Sequence, residues 1–91
     1  MLGSWDISEV KSVNLPQKVA SAFVAVTGGL VGADYMPIAF LGSQAVKGTN
    51  YRILALQTLI TANPVKRFIK MIINVDLDGT ASLVSIGNVA L

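Results

Sequence analysis

The sequence predicts an α+β fold, with a single helix laid across one face of a four-stranded antiparallel sheet. Three observations carry this expectation. Residues 15–28 hold one apolar stripe at helical spacing, the hydrophobic period changes to two from Tyr35 onward, and turn signals cut the second part into four strands.

The helix comes first. Asn14-Leu15-Pro16 reads as its start, with Asn14 as the capping side chain and Pro16 in the first turn, where a missing N–H costs nothing. Val19, Phe23, Val26 and Leu30 recur at i, i+4, i+7 and i+11, and Ala20, Ala22 and Ala25 flank them with small side chains that let a sheet approach. Gly28-Gly29 is the expected left-handed stop. Residues 1–13 show no sustained period and read as an extended N-terminal arm on a single domain spanning residues 1–91. Trp5, the one tryptophan, is expected to pack, because a large aromatic contributes much burial in a small domain.

The strands follow. Ile38-Ala39-Phe40-Leu41, entered through Pro37, reads as the first, with Gly42 marking a bulge or bend. The chain turns near Val46-Lys47-Gly48 and returns as a second strand over residues 51–60. Thr61-Ala62-Asn63-Pro64 is a loop, residues 67–77 a third strand, and Asp78-Gly79 a hairpin turn into a fourth strand over residues 80–86.

Composition narrows the function classes. The chain has 53% hydrophobic and 13% charged residues, with material for a core and no disordered character. It contains no Cys and no His, so disulfides, thiol chemistry, the usual neutral-pH base and the commonest metal ligand are all missing. The expectation is a non-enzyme with no catalytic residue, no metal and no cofactor. A net charge of +2 is weak, and alternation puts Lys66, Phe68 and Lys70 on one sheet face with Arg67 opposite, which reads as a solvated face and not as a nucleic-acid site. No apolar run reaches the roughly 20 residues of a membrane span. The start, Met1-Leu2-Gly3-Ser4-Trp5-Asp6, lacks a signal peptide's pattern, so the expected location is cytoplasmic, or secreted if a leader has been removed.

Apolar residues fall on both faces of the predicted sheet. Tyr51, Ile53, Ala55 and Leu59 alternate with Leu54, Leu56 and Ile60, and Ile69, Met71, Ile73 and Val75 oppose Phe68 and Ile72. A sheet with a second apolar face tends to recruit a partner, so a homodimer or larger assembly is expected, by sheet packing or by strand exchange about the Val46-Lys47-Gly48 turn.

Gln44-Ala45-Val46-Lys47-Gly48, followed by Thr49-Asn50-Tyr51, resembles the central segment of the cystatins, and of their disulfide-free members, the stefins, in particular. The shared pattern is a Q-x-V-x-G hairpin placed after a single helix. The resemblance implies a cystatin-like fold and reversible inhibition of papain-like cysteine proteases by a three-part wedge. Gly3 would stand for the glycine of the N-terminal arm, Gln44, Ala45, Val46, Lys47 and Gly48 for the first loop, and Asp78 and Gly79 for the second. Two features depart from the family pattern: Lys47 charges the first tip, and the second connection, Leu77-Asp78-Gly79-Thr80, is short and acidic. The alternative is a cystatin-fold protein without inhibitory activity, acting as a self-associating or protein-interaction module.

Overall fold

The computed structural model describes residues 5–90 and contains one helix followed by four strands: α1 Gln17–Thr27, β1 Ala33–Val46, β2 Gly48–Leu59, β3 Lys66–Val75 and β4 Ala81–Asn88. The strands form one antiparallel meander in the order β1-β2-β3-β4, and α1 packs against one of its faces. The fold is α+β.

The helix forms where the stripe predicts it, and both of its ends differ from expectation. Asn14 does not cap: the residue before α1 is Pro16, in extended geometry with ψ 145°, and no side chain closes the first turn. Proline's fixed φ and its bias of Leu15 toward extended backbone set the entry angle instead. At the other end Gly28 is not left-handed but continues the helical region at φ −61°, donating its N–H to the Val24 carbonyl at 2.9 Å. The N–H groups of Gly29 and Leu30 then bond the carbonyls of Val26 and Thr27, so a tightened last turn satisfies the open carbonyls and no left-handed residue is needed.

Val19, Ala22, Phe23 and Val26 are the buried stripe of α1. They meet Ile53 and Ala55 of β2 and Ile69, Met71 and Ile73 of β3, all five of which are fully buried. Burying an isoleucine-sized side chain is worth about 1.5–3 kcal/mol, so this helix-to-sheet layer is the main source of stability. The alternation foreseen for β2 and β3 is the observed one: these residues face the helix, while Leu54, Phe68, Lys70 and Ile72 face away. Leu56 is buried among the residues of this second face, outside the helix-side core.

Strand β1 starts at Ala33, earlier than the sequence indicates, because β2 continues to Leu59 and supplies partners for Ala33, Asp34 and Tyr35. Pro37 therefore lies inside the strand. It is tolerated because β1 is an edge, and the register slips by one residue directly after it. The Pro37 carbonyl takes the N–H of Val13 at 3.0 Å, which ties the N-terminal segment to this edge. A second slip between Phe40 and Gly42 is the anticipated bulge. Trp5 does not pack. It is 76% exposed, and the core is complete without it.

The molecule is long, 48 × 24 × 21 Å, and its accessible surface of 6183 Å² exceeds the roughly 5,100 Å² of a compact protein of its mass. One helix covers one face, and the hairpins extend beyond it. Among the described residues no helix is long and apolar enough to cross a membrane.

Candidate functional site at the paired hairpin tips

In an antiparallel meander the first and third connections emerge at the same end. The register places them side by side: Thr49, next to the β1–β2 turn, lies opposite Val75, next to the β3–β4 turn. The two groups of residues singled out in the sequence, Gln44 to Gly48 and Asp78-Gly79, therefore share one end of the molecule. Gly3, the proposed arm residue, lies outside the described residues.

The two turns share one device and differ in length. In the first, pairing runs on from Ala45–Thr49 to Val46–Gly48 and leaves Lys47 at the tip, and Gly48 has φ 91°. In the second, the Asp76 N–H donates to the Thr80 carbonyl at 2.9 Å and the Gly79 N–H to the Asp76 carbonyl at 3.0 Å, leaving the loop Leu77-Asp78-Gly79 with Gly79 at φ 90°. The first turn is the tighter of the two, and each is closed by a left-handed glycine. The sequence reading of a minimal Asp78-Gly79 turn is corrected accordingly: β3 ends at Val75, and Leu77 belongs to the loop tip. Each tip offers an apolar residue, a charged residue and a glycine. Val46 is 47% exposed and Leu77 78%, and Lys47 and Asp78 carry opposite charges.

Leu77 stands exposed at the tip of the second loop, a place the sequence hides because an apolar residue at the end of an apolar strand gives no sign of leaving it. Counting back from the glycine would have found it, since a three-residue loop ending in Gly79 begins at Leu77.

The five residues of the first loop have different tasks. Gln44 does not reach outward: its Oε1 accepts from Asn50 Nδ2 at 3.3 Å, and Asn50 Oδ1 accepts from Asn74 Nδ2 at 3.0 Å. These three amides cross β1, β2 and β3 as a ladder on the face away from the helix. Ala45 is a paired strand residue. Gly48 is enclosed, since a Cβ there would strike the Val75 carbonyl and touch the Asp76 Cα. Val46 and Lys47 stand at the exposed tip of the turn.

The second loop is held by carboxylates. Asp76 Oδ1 accepts the Leu77 N–H at 2.7 Å, and Asp78 Oδ1 accepts the Thr80 N–H at 2.9 Å. The backbone N–H of Thr80 lowers the Asp78 pKa from its ordinary 3.8. The folded value lies below the unfolded one, so the bond's contribution is complete above the unfolded pKa and is lost as pH falls through the lowered folded value. In acid titrations followed by NMR, the Thr80 amide signal should move with the Asp78 carboxyl, and Asp78→Asn should remove that titration. A Thr80 amide that titrates unchanged in Asp78→Asn would show that another group holds the loop.

Behind the tips lies an open groove of about 910 Å³ between α1 and the hairpin bases, lined by Lys18, Ser21, Thr49, Tyr51, Asp76 and Leu77. Its mixed lining and wide mouth make it a continuation of the tip surface. Among the described residues no His/Cys/Asp/Glu group of metal-binding composition occurs. What this end of the molecule provides is a narrow, double-pronged surface with two apolar points. The chain matches no protein-family model, no curated protein and no solved structure in comparisons with each.

Proposed function

We propose that this protein binds reversibly in the active-site cleft of a papain-like cysteine protease and inhibits it, entering with the paired hairpin tips. The observation that carries the reading is the pair of hairpin tips, each offering an exposed apolar residue, held side by side at one end of the sheet. A surface fixed before binding loses little conformational entropy on association, which favours insertion into a preformed cleft. The Q-x-V-x-G pattern at Gln44 to Gly48, and the resemblance to cystatins it conveys, supplies the target class.

Titrating papain with the protein tests this. The expected result is stoichiometric loss of activity. Val46→Asp and Leu77→Asp should each weaken inhibition at least about tenfold, because each places a charge in a desolvated contact. Full papain activity at a large excess of folded protein would overturn the proposal. The helix-free sheet face, with Leu54, Phe68 and Ile72 only half-buried, supports a second reading as a self-associating or protein-interaction module without inhibitory activity.

A further inference from the structure

The meander has two edges, and they are not alike. The β1 edge is interrupted by Pro37, by two register slips and by the bond from Val13. Natural edge strands are protected from unwanted pairing by such irregularities, by proline and by charge. The β4 edge, Ala81-Ser82-Leu83-Val84-Ser85-Ile86-Gly87-Asn88, contains no proline and no charged residue. Its single irregularity is the extra residue Val84, between the pairs Ile73–Leu83 and Ile72–Ser85. Leu83 and Val84 are 36% and 55% exposed. The strand runs about 27 Å with one row of backbone N–H and carbonyl groups facing outward.

We infer that β4 pairs antiparallel with β4 of a second copy of this chain, joining two sheets into one of eight strands. This deepens the self-association reading given above by naming its surface, and it does not depend on protease inhibition. Charge placement selects the partner and its direction. At the Ala81 end of β4 the neighbouring loop carries Asp76 and Asp78. At the other end Gly87 lies opposite Lys70, with Arg67 and Lys66 further along β3. Antiparallel pairing about a two-fold axis near the strand centre sets the acidic end of each copy against the basic end of the other, whereas parallel pairing would set like against like. The two-fold arrangement also closes on itself, while pairing of β4 with the guarded β1 edge would propagate as an open filament.

Sedimentation equilibrium at rising concentration should give a particle of twice the chain mass. Val84→Lys places two like charges near the axis, and it should weaken the dimer at least about tenfold while leaving the circular dichroism spectrum unchanged. The chain lacks cysteine, so Val84→Cys offers one thiol for a short bismaleimide, and it should cross-link far faster than Val31→Cys, an exposed position leading into the opposite edge. A dimer that Val84→Lys leaves intact, or equal cross-linking at the two positions, would overturn the β4 assignment while leaving self-association in place. A wild-type monomer at every concentration would overturn both.

Discussion

Gly48→Ala should be among the most destabilising single substitutions in the chain, although it adds one methyl group at the surface of a turn. Two costs combine. The residue sits at φ 91°, where an L side chain is disfavoured by about 1–2 kcal/mol, and its Cβ would enter the space of the Val75 carbonyl. Backbone on the neighbouring hairpin cannot rotate away as a flexible side chain does, so relief requires moving the β3–β4 turn, at a further cost of about 1–3 kcal/mol. Gly32→Ala is the matched control. Its φ is 88°, yet nothing lies within 4 Å of the added methyl. Urea denaturation should therefore show a loss of about 1–2 kcal/mol for Gly32→Ala and about 2–5 kcal/mol for Gly48→Ala. Equal losses would show that the backbone angle alone matters and that the two hairpins do not press on each other. It also follows that no Gly48 variant can probe protease contact, since its effect would pass through the fold. Val46, Lys47 and Leu77 are the positions for that purpose.

The second large effect is expected at Phe23. It is the largest side chain on the buried stripe of α1 and is 5% exposed against the fully buried Ile69, Met71 and Ile73. Phe23→Ala removes the main anchor between helix and sheet, and a loss of about 3–5 kcal/mol is expected. A chain of this length has about 5–14 kcal/mol in total, so the variant should melt at least about 12 °C lower and be partly unfolded at modest denaturant. Phe68→Ala changes the same residue type on the face without a helix, where Phe68 is only half-buried, and should cost less than half as much. If the two losses were equal, the outer face would have to be covered as fully as the core.

These contrasts follow from what was legible in the sequence and what was not. The stripe Val19, Phe23, Val26 and the alternation through Ile53, Ile69, Met71 and Ile73 are repeated patterns, in which many residues report one periodicity, and they placed the helix, the strands and the core. Element ends depend on single hydrogen bonds with distant partners, and there the reading failed. Asn14 lost the cap to the backbone geometry of Pro16. Gly28 stayed helical because Val24 accepted its N–H, and β1 began early because Leu59 was there to pair with Ala33. The two turns were read from their own residues, near Val46-Lys47-Gly48 and at Asp78-Gly79. Their inner arrangement was not, because the enclosure of Gly48 depends on an approach between two hairpins that no local pattern records. Gln44 is the sharpest case. As the first letter of a binding motif it points toward a partner, yet its amide oxygen belongs to a ladder with Asn50 and Asn74.

The contact between Gly48 and the Val75 carbonyl also has a consequence in time. Two hairpins that pack this closely cannot fray one after the other. For the first to swing open, the second must yield, and the reverse holds equally, so this end of the sheet breathes as one unit. Amides flanking the two loops, Thr49 on one side and Asp76 on the other, should then exchange with solvent at matched rates, slower than either turn would show on its own.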